Sequence, residues 1–400
     1  MKRILFHYTH KQTLGHTTRS IALATGICRK KADLLILQGG VPQPFVRFPP
    51  KCKVVDIPFP FDTRSSFQTR PDTVNSTQRA NFVLKTAIDF LPDVFITEFF
   101  PFGRANYTQE LLPTLRYLRK KGTRIVSSIG YPLISDLNRL AEKNYGALFN
   151  VLLGFYDSFL IHTPPKLENP YFLDSIQTPS IAQTYRSLMK TLEKRTQYTG
   201  YISPERMITG GTLLPLMNTT LPTIIVSRGG GAVYPKLIIR AIEAHRLLKT
   251  RTQMIIACGP ATTATEMGLF KSFLKPQDHE GIFLADHLDD LNDCLRTCDL
   301  SISLSGYNTS VQLMRFGTPS IIVPYESSVS KVSTNDQVAR ARLLQERFAS
   351  SILSYDTLTP QILAKAITTQ LSQLRPKPAP AAWFNGADIT AKFIVEDIAD

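Results

Sequence analysis

The 400-residue chain lacks any apolar run near the roughly 18 residues a membrane span requires. Its start, Met1-Lys2-Arg3-Ile4-Leu5-Phe6, has a basic tip, but the apolar run ends at His7-Tyr8-Thr9-His10, too early for a signal peptide. Cysteine is scarce and odd in number: Cys28, Cys52, Cys258, Cys294 and Cys298 do not make a disulfide framework. Cys294 and Cys298 share a helical face, but no His or Cys pair supplies the other half of a metal site. Buried thiols in a reducing cytoplasm are the reading, with no metal expected. The first half is also poor in acid. Residues 1–200 hold 27 Lys and Arg against 14 Asp and Glu, so nearly all of the net +14 lies there. A basic half suits an anionic partner, an acidic membrane surface among them, and equally a soluble domain that is simply basic. The basic residues are scattered and no binding motif for nucleic acid is present, which argues against that partner. At 43% hydrophobic residues the chain is not disordered, and its length fits two domains, each with its own core.

What is present is alternation. Short β-rich runs at Arg3–Tyr8, Leu34–Leu37, Lys53–Ile57, Val94–Thr97, Arg124–Ser128 and Ser158–His162 are followed by Thr223–Ser227, Gln253–Cys258, Gly281–Ala285, Asp299–Ser303 and Ser320–Val323. Helical patterns such as Thr17–Lys30, Gln109–Lys121, Lys236–Leu248, Leu288–Cys298 and Asp336–Arg347 lie between them. Strands separated by helices read as parallel sheets with right-handed crossovers, an α/β class. Residues 163–221, rich in Pro, Thr and Tyr, break the rhythm until Tyr198–Ile202 and read as the end of the first domain plus a linker. The domains expected are 1–205 and 218–375. A stretch rich in proline and alanine follows, then a helix over Ala387–Ala399 that packs back on the domains.

Three segments can carry chemistry. Gly15-His16, directly after the first strand, sits where parallel sheets bind ligands, at the start of a helix. His16 there suits a general base, although a loop histidine acting as a cap fits equally. Ser227-Arg228-Gly229-Gly230-Gly231 follows the first strand of the second domain; consecutive glycines let backbone N–H groups cradle phosphate, or else mark a plain turn. Ser303-Leu304-Ser305-Gly306-Tyr307-Asn308-Thr309 ends a strand and opens a helix whose free N–H groups suit a diphosphate, with Gln312 one turn on. Asn335-Asp336-Gln337 lies at the mouth of a later helix and can bind sugar hydroxyls or serve as N-cap. Arg116–Lys121 reads as a solvated helix end.

Gly306–Thr309, Gly317-Thr318-Pro319, Ser320–Pro324 and Asn335–Gln337, in that order, resemble the donor half of GT-B glycosyltransferases. The resemblance is to the type that includes the N-acetylglucosaminyltransferase of peptidoglycan synthesis and its uncharacterised bacterial relatives. Gly15-His16-x-x-Arg19, Thr97–Arg104 with Glu98, Gly200-Tyr201 and Gly229–Gly231 strengthen it. It implies two Rossmann-like domains facing across a cleft, the first for the acceptor and the second for a nucleotide-sugar, a UDP-sugar. It implies no cofactor and no metal, the nucleotide-sugar being a co-substrate. By position, His16 and Glu98 would be catalytic. The donor would meet Gly15, Arg228, Gly229, Gly230, Ser305, Gly306, Tyr307, Asn308, Thr309, Gln312, Asn335, Asp336 and Gln337, with His287 and Leu288 beside its base. The function implied is an inverting hexosyl transfer to a hydroxyl or amine of a small-molecule, anionic or lipid-linked acceptor, by a cytoplasmic protein that touches the inner face of the membrane through its basic domain.

Two departures stand out. Relatives carry Glu where this chain has Gln312, and Ser128-Ile129-Gly130-Tyr131 replaces a charged segment. The alternatives are a nucleotide-sugar hydrolase of the same fold and a non-catalytic nucleotide-sugar-binding scaffold.

Overall fold

The computed structural model describes residues 1–9, 15–40, 47–58, 73–103, 107–131, 137–165, 167, 169–176, 178–203, 220–230, 233–286, 288, 291–325 and 336–397. The first half runs β1 (Arg3–Thr9), α1 (Gly15–Arg29), β2 (Asp33–Gly39), β3 (Lys53–Asp56), α2 (Thr73–Phe90), β4 (Val94–Glu98), α3 (Thr108–Lys120), β5 (Arg124–Ile129), α4 (Lys143–Leu153), β6 (Ser158–Ile161), α5 (Asn169–Ser175), α6 (Pro179–Leu192) and β7 (Thr196–Tyr198). The second half runs β8 (Thr223–Ser227), α7 (Pro235–His245), β9 (Gln253–Ala257), α8 (Ala264–Ser272), β10 (Ile282–Ala285), α9 (Leu291–Thr297), β11 (Leu300–Ser303), α10 (Tyr307–Phe316), β12 (Ser320–Ile322), α11 (Asp336–Phe348), β13 (Ser351–Ile352), α12 (Pro360–Leu371) and α13 (Gly386–Lys392).

Each half folds around its own parallel sheet. The first has the order β3-β2-β1-β4-β5-β6-β7 and the second β10-β9-β8-β11-β12-β13. The central strands are largely apolar because both faces are covered, whereas the edge strands β3 and β7 are more exposed and polar. Leu5, Leu37 and Phe95 pack with α3 on one face of the first sheet, while Ile4, Phe6, Ile36 and Ile96 pack with α1 on the other. The second sheet repeats the plan: Ile224, Val226 and Ile256 meet α7, and Ile225, Ile255 and Ile322 meet α10 and α11. These are the two Rossmann-like layers expected.

Residues 169–198 form the end of the first half, within the expected bound at 205. They form α5, α6 and the edge strand β7, which pairs in parallel with β6. The strand expected over Tyr198–Ile202 ends instead at Tyr198, because Gly200 turns the chain at φ +82°. The expected hinge segment near 205–218 lies outside the described residues. Beyond α12 the chain crosses back to the first half. Tyr201 N–H donates to Trp383 O at 2.6 Å and Gly386 N–H to Tyr201 O at 3.0 Å. α13 then lies on α1, where Ala387 approaches Gly26 and Arg29 faces Asp388 at 3.6 Å. Among the described residues no helix is long and apolar enough to cross a membrane.

Candidate active site

In a parallel sheet, ligands bind beyond the carboxyl ends of the strands, at the point where strand order reverses. The first sheet reverses between β1 and β4. His16 opens α1, which follows β1, and Glu98 is the last residue of β4. The reversal therefore brings two residues 82 positions apart into contact. His16 Nδ1 lies 2.8 Å from both Glu98 carboxylate oxygens. A carboxylate can only accept, so in the neutral ring Nδ1 carries the proton and Nε2 the lone pair. The Glu98 side chain is 1% exposed and that of His16 is 24%. The imidazole is thus partly exposed while its partner stays shielded.

A third residue completes the group. Arg19, one helical turn after His16, donates from Nη2 to Glu98 Oε1. The same nitrogen lies 3.3 Å from His16 Nδ1, two donors converging on one acceptor. A buried carboxylate is costly unless paired, and Arg19 supplies the permanent countercharge. The guanidinium occupies the place of a side chain at Gly130, where a Cβ would sit 2.4 Å from Arg19 Nη1. The uncharged Ser128–Tyr131 segment thereby has a physical reason: it makes room for a cation. Ser128 Oγ also contacts His162 Nε2 at 2.7 Å. Thr199 Oγ1 donates to Gly200 O, so it accepts from His162 Nδ1 at 2.8 Å. Burial, then the Arg19 charge, pushes the His162 pKa down to about 3.

The second sheet reverses between β8 and β11. Gly229 and Gly230 leave β8, and Ser305–Gly306 leaves β11 to begin α10. Gly306 caps α10 without any side-chain hydrogen bond, so the first amides of the helix face outward. A Cβ at Gly306 or at Gly229 would meet no atom within 4 Å, which leaves space of the kind an anion fills at a helix N-terminus. Ser305 Oγ donates to Gln337 O at 2.6 Å and Arg340 Nε to Ser305 O at 2.9 Å, so α11 supports this loop. Asp336 pairs with Arg340 along α11, and Gln337 Oε1 accepts from Tyr325 N–H at 3.0 Å. Thr309 is half-buried in the first turn of α10. Leu288 is partly buried against the α9–α10 core. Asn308 Nδ2 donates to Gly15 O at 3.4 Å, so the starts of α1 and α10 face each other across the two halves.

Three of the expected donor residues have side chains engaged elsewhere. The Arg228 guanidinium points into its own domain, over the Phe270 ring at 5.2 Å, and donates to Cys258 O, Thr262 Oγ1 and Glu266 Oε1. Its side-chain atoms are fully covered, which makes it an internal strut. The Tyr307 side chain leaves the diphosphate space and enters the first half, where its hydroxyl donates to His162 O. Gln312 is buried at 2% exposure and spends its amide nitrogen on Ser203 Oγ at 2.8 Å. His287 and Asn335 lie outside the described residues. Among those described, no three His, Cys, Asp or Glu residues gather as a metal site. Arg19 and Gly130 were the residues whose roles the sequence reading missed; the i, i+3 spacing of His16 and Arg19 is the available signal, since it puts both on one helix face.

Comparison with known proteins bears on the fold. Residues 222–391 match the glycosyltransferase family 28 C-terminal domain. A UDP-N-acetylglucosamine--N-acetylmuramyl-(pentapeptide) pyrophosphoryl-undecaprenol N-acetylglucosamine transferase of Oenococcus oeni is 34% identical over 86 residues, 22% of this chain and 22% of the relative. The chain thus matches less than a quarter of that relative's length. Among solved structures, MurG of Acinetobacter baumannii superposes over 100% of this chain and 99% of its own, with TM-score 0.57 and 14% identity. The glycotransferase of kitacinnamycin covers 97% of this chain and 94% of its own, with TM-score 0.61 and 13% identity.

Proposed function

From the premise that this is a GT-B chain related to the family 28 glycosyltransferases, whose C-terminal domain it carries at residues 222–391, we propose that it transfers a sugar from a nucleotide-sugar to an acceptor nucleophile. The observation that carries this reading is the meeting of α1 and α10 at Gly15 and Asn308. It puts a buried-carboxylate histidine opposite a helix N-terminus suited to a diphosphate.

In the proposed step, His16 Nε2 takes the proton from an acceptor hydroxyl or amine. The acceptor's lone pair forms the new bond to the anomeric carbon while the bond from that carbon to the diphosphate breaks. The diphosphate leaves with the electron pair, and the amides at Gly306–Thr309 take up its charge. Attack opposite the leaving group inverts the anomeric centre. Glu98 holds the ring and stabilises the imidazolium; the proton then passes to solvent. The donor we infer is a UDP-sugar, with its base beside the end of β10. The acceptor is anionic or lipid-linked, in keeping with the positive first half of the chain. Contact with a membrane surface would follow from the same charge.

The test is a calorimetric titration with UDP, dTDP and GDP, followed by the matching nucleotide-sugars with and without acceptors. Selective UDP binding with sugar kept intact until an acceptor is added supports the proposal. Sugar released in water alone replaces transfer by hydrolysis, and no nucleotide binding rejects both.

A further inference from the structure

Tyr307 stands between the start of α10 and the His16–Glu98–Arg19 group. It is the first residue of α10, so its backbone belongs to the diphosphate end while its side chain crosses into the other half of the molecule. There it is buried at 9% exposure. Its hydroxyl donates to His162 O at 2.7 Å and accepts from Ile202 N–H at 3.0 Å. Ile202 belongs to the last described segment before the connection between the two sheets. The ring packs edge-on against Tyr201 at 6.0 Å between centroids. The Arg19 guanidinium lies over its face, 5.2 Å from the centroid. That guanidinium is the one that binds Glu98, and Glu98 is the partner of His16.

A continuous chain of contacts therefore runs from the helix start at Gly306 through the Tyr307 ring, Arg19 and Glu98 to His16. We propose that Tyr307 is a positioning residue that couples occupancy of the α10 N-terminus to the placement of the His16–Glu98–Arg19 group. The inference rests on the nucleotide-sugar reading above and adds to it the means by which the donor side is held in register with the base. It needs both features of tyrosine. The hydroxyl fixes α10 to the first half by two hydrogen bonds, and the aromatic face seats Arg19. Phenylalanine keeps only the second.

Hydrogen–deuterium exchange with UDP as probe tests this in the wild type and in Tyr307→Phe. The expected result is that UDP slows exchange at 306–310 in both proteins, but slows it at 15–20 only in the wild type. Equal protection of 15–20 in both proteins overturns the coupling and leaves the nucleotide reading standing. No protection of either region in either protein overturns that reading, and the proposal with it. Turnover gives a second readout. Tyr307→Phe is expected to lower kcat about tenfold with UDP affinity within about twofold, and to have no further effect when His16 is already alanine. A Tyr307→Phe effect of full size in the His16→Ala background, or a loss confined to thermal stability, shows a merely structural tyrosine.

Discussion

Lowering the pH from about 7.5 to about 5 should destabilise the protein through His162, with His245, whose pKa burial also lowers, adding to the loss. The His162 ring is completely buried, and burial and the nearby Arg19 charge hold its pKa at about 3 rather than 6.5. A histidine depressed in the native state stays neutral there while the unfolded chain takes up a proton below 6.5. The unfolded state then binds more protons, so stability falls as the pH drops through 6.5 and continues to fall toward 3. The slope approaches about 1.4 kcal/mol per pH unit, and the loss at pH 5 is about 2 kcal/mol from this group alone. Buried carboxylates act in a lower window. His7 and Arg79 hold Glu110 below the usual range despite its burial, and that stabilisation is lost only as the pH falls below the ordinary carboxylate pKa. The assay is a urea titration of wild type and His162→Gln at both pH values, followed by circular dichroism and Trp383 fluorescence. Glutamine keeps a donor and an acceptor for Ser128 and Thr199 but does not titrate. The variant should lose about 2 kcal/mol less than the wild type between the two pH values, whatever its absolute stability. Equal losses would show that His162 titrates normally in the native state and refute the reasoning.

Three further outcomes follow from the site. His16→Ala should reduce turnover by roughly 10²–10⁴-fold, the range for a general base, while calorimetry shows UDP affinity nearly unchanged. Gly306→Ala should leave the thermal midpoint almost unmoved, because the added methyl meets no atom within 4 Å and φ of −59° suits alanine. The same methyl should weaken UDP binding at least about tenfold by filling the diphosphate space; unchanged affinity would place the diphosphate elsewhere. In mass-mapped alkylation at mildly alkaline pH, Cys28 should react before Cys258 and Cys298. A hydrogen bond with Cys52 lowers the Cys28 pKa against the effect of burial, whereas burial pushes Cys258 and Cys298 up to about 12. Cys52→Ala should reduce that lead.

The strands were legible because their apolar runs are short and bounded; Thr223–Ser227 is found at the residues expected. So were the loops after the first strand of each half, since chain order alone puts them at the carboxyl edge. Residues 169–198 were harder, because α6 is amphipathic on the outside of the sheet and β7 is only three residues long at its edge. Side-chain direction was not legible. Arg228 and Tyr307 each adjoin a glycine, at the end of a strand and the start of a helix, where a side chain can turn to either face. What decides is the tertiary partner: Cys258 O and Glu266 for one, His162 O for the other.

Arg19 explains why the site needs three residues where a histidine and a carboxylate would form a base. The start of α10 invites an anion, and the start of α1 presents a second positive helix end to the same space. Glu98 sits behind His16 in this field, so in the proposed reaction an uncompensated carboxylate would repel the donor's diphosphate in a region of low dielectric. Pairing with Arg19 cancels that repulsion and still leaves both carboxylate oxygens within 2.8 Å of the imidazole. A lysine would supply the charge but not the flat cation over the Tyr307 ring. On the proposed function, the requirement for arginine, and for glycine at 130 to admit it, comes from placing a base and an anion site at facing helix ends.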